Sequence, residues 1–181
     1  MSADIVAACR SPVAPRGGAL SHLTLHDLGA PILRAALSQA GVQRDVVDEV
    51  IVSNALGAGG NPARIIALAA GLPERIAGLS IDRQCAGGLD ALLLASQMIR
   101  SGNADVVVAG GVESYSRRPV RIRTFADGRE PVEYDPAPFT PWPERDPDMA
   151  AAANMLARSH GITRKAQDDW AMASHAKALA C

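Results

Sequence analysis

One cysteine in this chain stands where a nucleophile could work. It is Cys85, in S-I-D-R-Q-C-A-G-G-L-D-A, where an extended segment gives way to an apolar helix. A strand end at the carboxyl edge of a sheet exposes its side chain where open α/β folds hold their ligands. A helix start adds partial positive charge and free backbone N–H groups, both of which favour a thiolate. Gly87 and Gly88 leave room for a substrate carbonyl to approach the backbone. The same N–H groups could hold a developing oxyanion. Two readings fit this local pattern. Cys85 is a nucleophile held at a helix start, or it is a small buried residue at a tight turn. A single cysteine does not decide between them.

The other reactive side chains say less. Gly110-Gly111-Val112-Glu113-Ser114 forms a second strand-end turn, with neither G-x-x-x-x-G-K-[ST] nor G-x-G-x-x-G spacing. Its glycines read as close packing beside the Cys85 turn. Glu113 reads as a buried hydrogen-bond anchor in preference to a general base. The histidines are His22, His26, His160 and His175. Each reads as solvated or capping. A cysteine nucleophile usually needs a base within hydrogen-bond reach, and none of the four is placed as one. Cys9 reads as packing at the end of a strand.

Composition narrows the class. The 181 residues carry a net charge of −1, with 48% hydrophobic and only 3% aromatic residues. A core of Ala, Val, Leu and Ile suits helices packed tightly on a parallel sheet. The densest basic stretch, Arg117, Arg118, Arg121 and Arg123, has no nearby aromatics to stack on bases, so no nucleic-acid partner is expected. Three cysteines, Cys9, Cys85 and Cys181, form no C-x-x-C pair. Neither a disulfide framework nor a metal site is implied, and a reducing, cytoplasmic setting is expected. The N-terminus lacks the basic and long apolar regions of a signal peptide. No apolar run reaches the ~18 residues of a membrane span, so no membrane partner is expected.

The elements that must position Cys85 follow from periodicity. Residues 4–9 (D-I-V-A-A-C) read as a buried strand and 11–20 as loop. A helix starting at Thr24 or Asp27 aligns Leu28, Ile32, Leu33, Ala36, Leu37 and Ala40, and ends at Gly41. Residues 49–55 read as a second strand, followed by a glycine-rich turn at 57–60. Asn61 and Pro62 open the next helix as N-cap and first helical residue. Residues 78–83 read as a third extended segment and 86–100 as the most apolar helix, sandwiched between layers. Residues 105–109 read as a fourth strand, buried on both faces. This alternation is that of an α/β domain with a largely parallel sheet and helices on both faces.

The pattern changes after Gly111. Seven of the twelve prolines fall between Pro119 and Pro147, which reads as a long irregular segment of the kind that forms lids or binding loops. Helices near 148–159 and 163–180 close the chain. The domain expectation is therefore an α/β core over 1–112 and the start of a loop domain over 113–181. The helical pattern runs into Cys181 without a cap, as in a chain cut inside a larger architecture.

Four segments in order resemble the N-terminal half of the thiolase family, the acetyl-CoA acyltransferases. They are I-V-A-A-C-R-S-P-V-A-P-R-G-G-A-L, D-E-V-I-V-S-N-A-L-G-A-G-G-N-P-A-R, D-R-Q-C-A-G-G-L-D-A and A-D-V-V-V-A-G-G-V-E-S-Y-S. The resemblance implies a layered thiolase-like α/β fold and acyl transfer through a thioester on Cys85. It implies coenzyme A thioesters as substrates, no permanently bound cofactor, and a homo-oligomer, dimer or tetramer. It places Met149, in D-P-D-M, against the acyl chain. The chain departs from the family at Ala86-Gly87-Gly88, where the family commonly has Gly/Ala-Ser-Gly after the cysteine. That puts a local hydrogen bond in doubt, not the nucleophile. The family's activating histidine, oxyanion partners and second acid/base cysteine belong to its second half. A chain of these residues alone is expected to be weak or inactive as a catalyst. The rival to an enzyme is an inactive thiolase-like segment acting only through self-association.

Overall fold

The central strand, β1 (Glu49–Ser53, E-V-I-V-S), explains most of the architecture. The computed structural model describes residues 2–57, 60–135 and 137–180. Residues alternate across a strand, and β1 obeys this with apolar side chains on both faces. Val50 and Val52 belong to one core cluster, with Leu33, Leu37, Ala63 and Ile66. Ile51 points the other way, to Ala91 and Ala95. A strand covered on both sides must be apolar almost throughout.

Two strands flank it in parallel. β2 (Leu79–Ile81) and β3 (Val107–Gly111) give the order β2-β1-β3. Ser53 pairs with Ile81 on one side and Gly111 on the other. Helices α1 (Leu25–Ala40) and α2 (Pro62–Ala69) pack on one face and α3 (Gly87–Arg100) on the other. The α/β layering expected from the sequence is present.

The helix ends are built as the sequence implies. Thr24 caps α1 in a reciprocal capping box with Asp27, and Gly41 ends it at φ 65°. Asn61 caps α2 through the Arg64 N–H at 3.1 Å, with Pro62 at the first position. Part of the 57–60 turn lies outside the described residues, as does Cys181.

Three expectations are corrected. Residues 4–9 are not a strand, and Ile5 and Val6 are exposed. Apolar composition signals burial, but a strand also needs a hydrogen-bonding neighbour, and the described sheet comprises β2, β1 and β3. β3 is half-buried instead of buried on both faces, because it is an edge strand. The most apolar helix is not sandwiched. α3 buries Gly87, Ala91 and Ala95 on the sheet and leaves Leu89, Leu92 and Leu93 exposed on its outer side.

The chain forms two compact units, 1–120 and 121–181. In the second, the proline-rich segment contains a hairpin that the sequence reading treats as irregular. β4 (Arg121–Arg123) pairs antiparallel with β5 (Val132–Tyr134). Its signals are a short R-I-R/V-E-Y alternation and a turn at Asp127-Gly128, with Gly128 at φ 76°. Then come α4 (Met149–Ser159) and α5 (Arg164–Leu179), capped by Asp148 and Thr163 as their positions imply. Aromatics do neighbour the basic stretch, contrary to expectation. Arg118 lies 4.3 Å from the Tyr115 ring in the first unit, and Arg123 lies 5.1 Å from the Tyr134 ring in the second.

Candidate active site

The carboxyl ends of β2, β1 and β3 lie in register, so the segments leaving them meet at one edge. The Asn54 N–H donates to the Ile81 carbonyl at 3.0 Å, and the Val112 N–H donates to the Ser53 carbonyl at 3.0 Å. Each bond carries the sheet one step past its last pair. From this edge β2 runs through Asp82 and Arg83 into a single 3-10 turn, Gln84–Ala86, and then into α3. Cys85 sits on that turn, exposed and with a free thiol. The reading of this position as a buried packing residue is thereby removed.

The turn is shaped by what lies beneath it. A Cβ on Gly87 would stand 1.8 Å from Ser53 Oγ, so α3 can begin this close to the sheet only with glycine. A Cβ on Gly111 would lie 3.8 Å from the Gly88 Cα, which places the second strand-end turn beside the Cys85 turn as expected. Gly88 faces open space. Of the two glycines, it is the one that leaves room above the backbone.

The start of α3 also differs chemically from the others. The helices α1, α2, α4 and α5 each have a side-chain oxygen accepting a first-turn N–H, from Thr24, Asn61, Asp148 and Thr163. The residue before α3 is Ala86, which supplies no side-chain cap. Orphan N–H groups at a helix start are commonly met by such caps or by ligands.

Glu113 is an anchor, as expected, but on the surface and not buried. Its carboxylate accepts from Asn54 Nδ2 at 2.9 Å, from the Ala55 N–H, and from the Leu56 N–H at 3.3 Å. Asn54 Nδ2 also donates to the Val112 carbonyl at 3.0 Å. These bonds tie the exit of β1 to the exit of β3. A carboxylate committed to three donors is poorly placed to take a substrate proton. Beside it, buried Ser114 donates from Oγ to the Leu23 carbonyl at 3.2 Å. The 10–20 loop meets the same segment, with the Gly17 N–H on Ser116 Oγ at 2.9 Å. A cleft of about 210 Å³ lies between them, lined by residues 11–16 and 113–116 with Leu20 and Leu28; Cys85 does not line it.

The remaining candidates lie elsewhere. Met149 is the first residue of α4 in the second unit, 65% exposed. Cys9 is exposed, with Sγ 3.0 Å from Gln39 Oε1, and does not pack in the core as expected. His22 and His26 are exposed, and His26 lies 3.2 Å from Thr24 Oγ1. His160 ends α4, its N–H on the Leu156 carbonyl at 3.0 Å, and His175 is exposed within α5. Among the described residues no histidine hydrogen-bonds Cys85. Sequence reasoning overlooks Ser53, Asn54, Asp82, whose Oδ1 accepts the Gln84 N–H at 2.7 Å, and the ion pair of Arg83 with Asp90 at 2.9 Å. Asp82 carries a legible signal, since aspartate commonly accepts from the N–H two residues on; Ser53 carries none, because its role depends on which glycine lands above it.

Comparison with known proteins identifies the family and the fold. The family described as the thiolase N-terminal domain matches residues 3–181. YhfS of Bacillus subtilis is 41% identical over 175 residues, covering 97% of this chain and 44% of its own length. The acetyl-CoA acetyltransferase of Cupriavidus necator is 38% identical over 186 residues, covering 97% of this chain and 47% of its own. The crystal structure of the Bacillus anthracis acetyl-CoA acetyltransferase superposes with a TM-score of 0.84 at 37% identity, over 97% of this chain and 46% of that one. The chain spans a little under half the length of the relatives it matches.

Proposed function

This chain belongs to the thiolase family, matching its N-terminal domain over residues 3–181, and from that membership we propose that it takes part in acyl transfer between coenzyme A thioesters through Cys85. The observation that carries the proposal is the position of that thiol. It is exposed, at the carboxyl edge of the parallel sheet, on a turn leading into a helix whose start has no side-chain cap.

The first half-reaction follows from this placement. The Cys85 sulfur attacks the thioester carbonyl, a sulfur–carbon bond forms, and the carbonyl oxygen takes the charge. Backbone N–H groups of this turn that are not already bonded within it are the donors for that oxyanion, the Gly87 N–H being taken by the Gln84 carbonyl. Collapse breaks the bond to coenzyme A, which leaves as a thiolate and takes up a proton, as the thiol has given one up. In the second half-reaction the carbanion of another acyl-CoA attacks the Cys85 thioester, giving a 3-ketoacyl-CoA and regenerating the thiol. Thiolysis is the same sequence reversed. Coenzyme A thioesters are thus substrates, with no permanently bound cofactor, and Met149 is the side chain assigned to the acyl group. A homo-oligomer in the cytoplasm is the setting proposed for this chemistry.

Carbanion formation needs a base. Residues 1–181 are therefore expected to capture an acyl group and not to complete the condensation. Incubation with acetyl-CoA should add one acetyl group, mapped to Cys85 by peptide mass spectrometry and absent from Cys85→Ser. Acetoacetyl-CoA cleavage should stay at background. Equal acetylation of Cys9 and Cys85 would refute the assignment of the nucleophile, and turnover lost in Cys85→Ser would refute the missing-base argument.

One observation favours a second reading, in which the chain acts through self-association. Leu89, Leu92 and Leu93, 61%, 42% and 52% exposed, form one stripe on α3, and an apolar patch of this kind invites a partner. Sedimentation should then show mass rising with concentration, and Leu89→Arg should remove that rise.

A further inference from the structure

Gln84 is the one non-glycine residue among those described with a backbone in the left-handed region, at φ 48°. Residues other than glycine, asparagine or aspartate rarely adopt it, and such conformations persist where their surroundings impose them. Three contacts surround this one. Asp82 Oδ1 accepts the Gln84 N–H at 2.7 Å. The Gly87 N–H returns to the Gln84 carbonyl. Arg83 Nε donates to Asp90 Oδ2 at 2.9 Å. In sequence this third bond brackets Cys85, joining the residue before Gln84 to the first turn of α3. The Asp90 side chain is 25% exposed and that of Arg83 71%, so the arginine reaches inward to a partly covered carboxylate.

We infer that the Arg83–Asp90 ion pair is a clasp that positions Cys85, holding the strained turn closed on the start of α3. The inference rests on the reading of Cys85 as nucleophile. Its physical content is geometric. With the pair intact, the chain on both sides of Cys85 is fixed to one helical turn, and the thiol keeps its place on the turn that leads into α3. With the pair broken, Gln84 can relax to an ordinary conformation and carry the thiol off that position. Asp90 also gains from standing in a helix first turn, where negative charge is favoured.

A clasp and a simple charge effect predict different signs. If Arg83 and Asp90 acted only as charges near the thiol, removing the cation would slow attack by Cys85 and removing the anion would speed it. Loss of a clasp slows it in both cases. The test is the rate of iodoacetamide alkylation of Cys85 in the 181-residue protein near neutral pH, with exposed Cys9 as the control in the same molecule.

Arg83→Met and Asp90→Asn should each slow Cys85 by about threefold to fivefold, the range open to a largely exposed ion pair, with Cys9 unchanged. Both should quicken amide hydrogen exchange across residues 84–88. The reversed pair, Arg83→Asp with Asp90→Arg, should recover most of the lost rate, and high salt should bring the parent toward the single variants. A faster or unchanged rate in Asp90→Asn overturns the clasp, and so does a reversed pair as slow as the single variants. Iodoacetamide needs no acyl donor. Failure of acetyl-CoA to label Cys85 would therefore count against the acyl-transfer reading alone.

Discussion

The two units of this chain are built on different physics. Every buried residue described lies in the first, from Ala30 through Ser114; the second has none. In the first unit, β1 is packed from both faces, and Val47, Val50, Ile51 and Ile76 are fully buried. In the second, helices are defined by caps and by surface pairs such as Arg164–Asp168 and Lys165–Asp169, while Trp170 is 82% exposed. Local rules are enough to write a helix in sequence. A sheet packed from both faces also gives a reactive side chain a rigid support, and Cys85 stands at that sheet's carboxyl edge.

The largest effect should come from emptying the shared core. Ile51→Ala should cost about 2–5 kcal/mol of stability, as large-to-small core changes do, whereas Trp170→Ala should stay within about 0.5 kcal/mol. Urea titration of both variants measures the difference, and equal losses would break the contrast.

Next comes Gly87→Ala, whose Cβ meets Ser53 Oγ at 1.8 Å. Overpacking of this kind costs about 1–3 kcal/mol, and acyl capture at Cys85 should fall with it. Ser53→Gly in the same chain should restore much of both.

Smaller still is Asp148→Ala. Losing a cap costs about 1 kcal/mol, here felt by α4 alone. Hydrogen exchange should rise across 149–159 while β1 keeps its protection.

The smallest effect is a pH dependence confined to the first unit. Hydrogen bonds from the Val106 and Asp105 N–H groups hold the Asp48 carboxyl below the usual aspartate range. A depressed carboxyl stabilises the fold above its unfolded titration range, and that contribution fades as pH falls through the depressed value. Asp48→Asn should therefore lower the melting temperature at neutral pH and converge with the parent in acid.

How far the sequence was legible depends on the kind of signal. Thr24, Gly41, Asn61-Pro62, Asp148 and Thr163 act through their nearest neighbours, and the elements they bound are where spacing puts them. Cys85 was legible as a candidate because strand end, helix start and glycines are contiguous. Residues 4–9 misled because an apolar run states a wish for burial without naming a partner. The β4–β5 hairpin was hidden by the prolines around it, although Asp127-Gly128 marked its turn. Glu113 was legible as an anchor and not as an exposed one, since exposure depends on what covers a loop.

The sequence by itself determined the α/β order, the helix caps and the place of a cysteine at a strand-to-helix junction, because those follow from bonds and periodicities within a few residues. Tertiary structure alone decided that Ser53 sits beneath Gly87, that Glu113 ties β1 to β3, and that Arg83 closes on Asp90 across a strained Gln84. The first two require chain segments far apart in sequence to meet, and the third, though its partners lie close in sequence, depends on a left-handed Gln84 that no periodicity states.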